Sequence, residues 1–159
     1  MFVLLRHLHR LRRGVALPTP ARGSLHVRHV DAGSCNGCEH ELQAAANPYY
    51  DMERFGLFLT AAPRHADVLL VTGSVTTRMR EPLRIAYEAM PEPRLVAALG
   101  DCALGCGLWG DPGEVVGSVE EVLPVDVRIP GCPPDPQAIA EGLLVALATA
   151  RRGAERRPR

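Results

Sequence analysis

The chain has 159 residues, 47% hydrophobic and 23% charged, which suits one globular domain with an ordinary core and excludes a disordered or fibrous chain. Its formal net charge is zero, yet all 18 basic residues are arginine and they gather at the ends. Residues 1–13 hold four arginines and no acid, residues 151–159 hold five arginines and one acid, and the body between carries nine arginines against 17 acids.

In chain order, Met1 to Val15 spaces Leu4, Leu8, Leu11 and Val15 at helical intervals among arginines and histidines. That pattern suits a basic amphipathic helix at a membrane surface or partner groove, or else a floppy extension. Pro18, Pro20 and Gly23 mark a linker, so residues 1–23 form an N-terminal segment ahead of a domain spanning 24–150, with a basic tail over 151–159. Within the domain, Leu25 to Val30 reads as a strand ending at Asp31-Ala-Gly33, and Glu39 to Ala46 as a helix stopped by Asn47-Pro48. Phe55 to Thr60 and Asp67 to Thr72 read as strands; the apolar run Val68-Leu-Leu-Val71 is typical of a parallel strand covered on both faces. Pro82 fits the first turn of a helix whose Leu83, Ala86, Tyr87 and Met90 share a face. Arg94 to Leu99 and Val125 to Ile129 supply two more strands. A last helix begins at Asp135-Pro136 and carries Ile139, Leu143, Ala146, Leu147 and Ala150 on one stripe; Arg151-Arg152-Gly153 is its expected end. Alternating strands and helices predict an α/β fold: one open, mostly parallel sheet with helices on both faces.

The sequence has five cysteines, an odd number, and no segment near the ~20 apolar residues that cross a bilayer. Met1-Phe-Val-Leu-Leu5 is too short for a signal-peptide core. A secreted disulfide scaffold is therefore not expected, and the chain reads as cytoplasmic. Four of the cysteines share one structural address. Cys35 and Cys38 follow the first strand, Cys102 follows the strand at Arg94 to Leu99, and Cys132 follows the strand at Val125 to Ile129. In a parallel sheet the carboxyl ends of the strands lie along one edge, where such folds place their ligand sites. Three loops distant in sequence then bring four thiols together, and glycines at 33, 37, 100, 105, 107 and 131 let backbone approach closely. Four thiolates on small, rigid loops favour an iron–sulfur cluster, whose potential responds to hydrogen bonds at sulfur. Three alternatives remain at this stage. A structural zinc site usually takes two compact Cys-x-x-Cys pairs. A thioredoxin-like pair leaves Cys102 and Cys132 idle, and the thiols are otherwise four unrelated cysteines.

Gly33-Ser-Cys-Asn-Gly-Cys-Glu-His-Glu41, followed by Asn47-Pro-Tyr-Tyr-Asp-Met-Glu-Arg-Phe-Gly56, resembles the small subunit of membrane-bound, energy-conserving nickel–iron hydrogenases. Pro63-Arg-His-Ala-Asp67, Val71-Thr-Gly-Ser-Val-Thr76 and Val125-Asp-Val-Arg-Ile-Pro-Gly-Cys-Pro-Pro134 match the same family. The likeness spans roughly residues 24–150. It is strong to the formate hydrogenlyase small subunit and more distant to the 20 kDa cluster-bearing subunit of respiratory complex I. In the latter the first two cysteines are adjacent, whereas Asn36 and Gly37 separate them here.

The resemblance implies a single flavodoxin-like domain holding one proximal 4Fe-4S cluster through Cys35, Cys38, Cys102 and Cys132. It implies an oxidoreductase subunit that relays electrons to or from a large nickel–iron hydrogenase-like or complex I-like subunit. A ferredoxin-like iron–sulfur subunit and membrane subunits would be further partners, and no nucleic acid is expected. The complex would hold the chain peripherally at the inner face of the cell membrane. Other outcomes are a quinone-linked oxidoreductase subunit without a nickel partner, or a zinc-bound interaction module without redox function. Glu41 matches an acid that recurs after the first cysteine pair; it is expected to assist proton movement near the subunit interface, or to cap or salt-bridge its helix. Cys106 stands where relatives commonly have glycine and is expected to be a spare thiol, with competition as a ligand the alternative.

Overall fold

The computed structural model describes residues 23–107 and 113–155, with side chains of the last helix given as far as residue 148. The basic helix expected over residues 1–15, its linker through residue 22, and the last four residues of the tail lie outside the described residues.

Five strands pair in parallel: β1 (Leu25–Asp31), β2 (Leu57–Leu59), β3 (Val68–Thr72), one at Leu95–Leu99 and one at Val127–Ile129. A two-stranded antiparallel ribbon joins β4 (Val75–Thr76) to β6 (Val115–Gly117), so the last two sheet strands are β5 (Leu95–Leu99) and β7 (Val127–Ile129). The sheet order is β2-β1-β3-β5-β7. Counting only its members in chain order, that is the flavodoxin-like order, with a topological switch point between β1 and β3.

Period-two alternation sends neighbouring residues of each strand to opposite cores. On one face, Val68, Leu70, Leu95, Ala97 and Leu99 pack with Leu42 and Ala45 of α1 (Gly37–Ala45) and with Ile139, Leu143 and Leu147 of the helix Pro136–Glu155. On the other face, Leu69, Val71, Val96 and Ala98 pack with Leu83 of α2 (Arg80–Glu88) and with Met90, Val119 and Leu123. Every residue of β3 and β5 is buried, as a central parallel strand covered on both faces requires. The helix Pro136–Glu155 is α3.

The differences from the sequence reading are local. A 3-10 turn at Met52–Phe55, capped by the Asp51 side chain on the Arg54 N–H, takes the start of the expected second strand, which shrinks to three residues. Helix α2 begins two residues ahead of Pro82, which stays in its first turn. Helix α3 runs through Gly153 to Glu155; one glycine costs a helix only about 1 kcal/mol, too little to stop a run of arginine and alanine. The β4–β6 ribbon escaped the pattern because two or three residues are too few for alternation to register. No helix among the described residues is long and apolar enough to cross a membrane.

Candidate metal centre

Each cysteine loop at the carboxyl edge of the sheet is shaped by its own polar contacts. At the end of β1, Asp31 Oδ1 accepts the backbone N–H groups of Gly33 (2.9 Å) and Ser34 (2.7 Å), turning the chain off the sheet. Ser34 Oγ accepts the Asn36 N–H at 3.2 Å, and Asn36 takes the left-handed conformation (φ 69°) that asparagine tolerates. The His40 N–H then donates to Asn36 O, which opens α1. Cys35 is thus exposed just ahead of the helix, and Cys38 is half-buried in its first turn.

The loops after β5 and β7 are tied to each other. The Gly100 N–H donates to Ile129 O (2.8 Å) and the Asp101 N–H to Gly131 O (2.9 Å). In return the Gly131 N–H donates to Asp101 Oδ1 at 2.8 Å. Half-buried Cys102 and exposed Cys132 follow those two anchors directly. Asp135 Oδ1 accepts the Ala138 N–H at 2.7 Å, capping α3 just after Pro133-Pro134. From the turn after β3, Ser74 Oγ donates to Cys102 O at 3.4 Å.

The three loops bring Cys35, Cys38, Cys102 and Cys132 into electrostatic reach of one another. Burial, then Glu39, then the other three thiols push the Cys38 thiol up to about 12. Cys102 is raised by burial, by Cys132 and Cys35 and by Asp101, against a backbone hydrogen bond that lowers it. A thiol gives up its proton when it ligates a cation, so loading of such ligands is favoured as pH rises. The thiols are also cradled. A Cβ on Gly100 (φ +88°) would stand 2.5 Å from Cys38 Sγ, and one on Gly107 would stand 2.5 Å from Cys102 Sγ. Cys106 is exposed, its N–H donating to Asp101 O at 2.8 Å.

Among the described residues no three His, Cys, Asp or Glu side chains converge closely enough to hold a single ion. Four cysteine thiols from three loops, with Gly100 and Gly107 where a side chain would meet the Cys38 and Cys102 sulfurs, are a donor set that fits an iron–sulfur group.

Beside the thiols lies a polar group that the sequence reading missed. The Thr72 hydroxyl at the end of β3 donates to Glu39 Oε1, and His29 Nε2 on β1 lies 2.9 Å from that hydroxyl and 3.5 Å from the same carboxylate oxygen. Burial holds His29 below its ordinary value although Glu39 and Asp31 pull it up. His29 and Glu39 of this group line an open cavity of about 350 Å³ together with Arg28, Leu42 and Gln43. Glu41 sits half-buried on α1, about 200° around the helix from Glu39 and so on another face.

Residues 35–146 match the family described as the NADH ubiquinone oxidoreductase 20 kDa subunit. The chain belongs to this family. It is an oxidoreductase subunit of the hydrogenase and complex I-like kind, as the sequence motifs implied. A probable membrane-bound hydrogenase subunit of Pyrococcus furiosus is 47% identical over 121 residues, covering 76% of this chain and 72% of that protein. Formate hydrogenlyase subunit 7 of Escherichia coli is 45% identical over 124 residues, 78% of this chain and 49% of that protein. In structure, a chain of the membrane-bound sulfane sulfur reductase, an archaeal respiratory membrane complex, superposes with a TM-score of 0.70 at 30% identity, covering 94% of this chain and 77% of its own length. The Ni-Fe-Se hydrogenase of Desulfomicrobium baculatum shares the fold at a TM-score of 0.62 and 20% identity, over 84% of this chain and 65% of that one.

Proposed function

We propose that this member of the 20 kDa subunit family carries one 4Fe-4S cluster on Cys35, Cys38, Cys102 and Cys132. It would serve as the electron-transfer subunit of a membrane-associated hydrogenase-type complex. The observation that carries the reading is the convergence of four thiols from three loops at the carboxyl edge of a parallel sheet, with glycines where a side chain would meet sulfur. Bound there, such a cluster accepts and passes one electron at a time. The chain's own work is positional: Asp31 shapes the first loop, and Asp101 locks the second loop to the third.

The relatives named as subunits of membrane-bound hydrogenase and formate hydrogenlyase support a large hydrogenase-like subunit as the partner at this edge. A ferredoxin-like subunit would lie on the other side of the relay, and membrane subunits would hold the chain peripherally at the inner face. A second reading, a quinone-linked complex without nickel, is favoured by the family's own description. The partner's sequence separates the two: a large subunit with two Cys-x-x-Cys pairs supports the hydrogenase-type reading, and one lacking them supports the quinone-linked reading.

The test is anaerobic co-purification with the partner subunits, then iron, nickel, zinc and acid-labile sulfide analysis with low-temperature EPR. About four iron and four sulfide per copy of this chain are expected beyond those that the partner subunits carry. One zinc per copy of this chain, with no iron or sulfide beyond the partners' own, would sink the cluster assignment and leave the zinc-bound module.

A further inference from the structure

The turn after β3 carries no cysteine, yet it is wedged between two of the cysteine loops. Ala32, fully buried just past β1, holds both ends of it. The Ala32 N–H donates to Thr72 O at 2.9 Å, and the Thr76 N–H donates to Ala32 O at 3.0 Å. Gly73 and Ser74 lie between those two bonds. On one side the Ser74 hydroxyl donates to Cys102 O at 3.4 Å. On the other the turn meets the Gly33–Ser34 peptide, which leads directly into Cys35.

That second contact is backbone against backbone. A Cβ on Gly73 (φ +77°) would stand 2.4 Å from both Gly33 C and Ser34 N, and 2.7 Å from Gly33 O. The exclusion is reciprocal: a Cβ on Gly33 (φ +142°) would stand 2.6 Å from Ser74 O and 2.7 Å from Thr76 Cγ2. A side chain at either position must push one loop off the other. The peptide is also gripped by Asp31 Oδ1, which accepts the Gly33 and Ser34 N–H groups, so it is fixed between that carboxylate and the bare Cα of Gly73. The two thiols beyond it are unequally anchored. Cys38 stands in the first turn of α1, whose Leu42 and Ala45 are buried in the core. Cys35 is exposed, ahead of the helix, and follows the gripped peptide directly.

We infer that Gly73 is a positioning residue for Cys35: its contact with the Gly33–Ser34 peptide, together with the tie from Ser74 to Cys102, sets the spacing between the Cys35 and Cys102 corners of the site. The inference rests on the cluster assignment above. In a four-iron cluster each cysteine thiolate holds one iron. A displaced Cys35 therefore leaves one iron poorly held, while Cys38, Cys102 and Cys132 keep theirs.

The test uses the intact complex, purified anaerobically, as wild type, Gly73→Ala, Gly56→Ala and Ser74→Ala. Gly56 (φ +81°) precedes β2 at the opposite edge of the sheet, and a Cβ there would meet Gly23 O at 3.4 Å, an ordinary contact. Gly56→Ala thus carries the backbone cost of left-handed space without the collision. Ferricyanide takes one electron from the cluster, and an iron without its thiolate then leaves as Fe(II) to a chelator. Iron and sulfide are counted per copy as differences from the wild-type complex, whose partner clusters are common to all four samples. Gly73→Ala should release about one iron per copy, about tenfold faster than Gly56→Ala, and keep its sulfide. It should also show the EPR signal of an oxidised three-iron cluster. Ser74→Ala loosens the tie to Cys102 and should release the same iron at an intermediate rate. Loss of stability alone releases iron and sulfide together, so the iron-to-sulfide ratio separates positioning from unfolding.

A loaded Gly73→Ala complex that releases iron no faster than Gly56→Ala overturns the inference while the cluster assignment stands. So does equal loss of iron and sulfide from Gly73→Ala, because the whole site rather than Cys35 would then have moved. If Gly73→Ala fails to assemble, Ser74→Ala decides, and release matching that of Gly56→Ala overturns the inference. A wild-type complex without iron and sulfide beyond the partners' own removes both the assignment and the inference.

Discussion

Replacing Gly100 with alanine tests whether the edge of the sheet is built around the Cys38 sulfur. Gly100 has φ +88°, and a Cβ there would lie 2.5 Å from Cys38 Sγ, whereas ordinary contact begins near 3.4 Å. The backbone term for a non-glycine residue in left-handed space is about 1–2 kcal/mol. Relieving the overlap means moving the sulfur or the loop by roughly an ångström, and forced overpacking of this kind costs about 1–3 kcal/mol. Gly105 supplies a matched control. Its φ is +85°, and its Cβ would meet Ser118 Cβ at 3.2 Å, so Gly105→Ala carries the backbone term with little of the contact term. The two variants should therefore differ by about 1–3 kcal/mol, roughly five- to 150-fold in retention of the bound group. The assay is chelator competition on the anaerobically purified complex, read as iron and sulfide per chain, with thermal unfolding recorded for both variants. A Gly100→Ala protein that retains its iron as well as Gly105→Ala refutes the claim that Gly100 makes room for a ligand.

Three further outcomes follow from the same geometry. Cys132→Ser should lose most of the bound iron whereas Cys106→Ser retains it, measured as iron and sulfide per chain; equal losses would return Cys106 to the ligand set. Asp101→Ala leaves the Gly131 N–H without its acceptor, and a denaturant titration should show a loss of about 1–3 kcal/mol, most of it recovered by Asp101→Asn, which keeps an oxygen at that position. For His29, burial sets the folded value below the unfolded one near 6.5. Its contribution to stability is therefore fully present above about pH 6.5 and is lost as pH falls through the depressed folded value. Thermal unfolding between about pH 7 and pH 5 should be flatter for His29→Gln than for the wild type, and parallel profiles would show that His29 is not the titrating group.

What the sequence made readable, and what it hid, follows from the range over which each signal acts. The continuous apolar runs Val68–Val71 and Leu95–Leu99 announce buried parallel strands on their own residues alone. The cysteines announce themselves by rarity and by each standing just after a strand. Glu39 has no such mark. Its partner Thr72 lies 33 residues away, and the two meet because β1 and β3 are neighbours although β2 separates them in the chain. A reading along the chain singled out Glu41 by its place in a motif, whereas two residues of helix turn the side chain through about 200°, enough to put the acid bonded to Thr72 and Glu41 on different faces.

The same geometry explains why that polar group sits where it does. At the switch point the connections from β1 and β3 leave in opposite directions and open a crevice between them. The loop of Cys35 and Cys38 follows β1, and the turn after Thr72 follows its parallel neighbour β3. Residues at the ends of those two strands are therefore the ones able to reach the first turn of α1, and they include both His29 and Thr72. The acid directly after Cys38 in that turn is thereby brought to the ends of β1 and β3 by the topology itself.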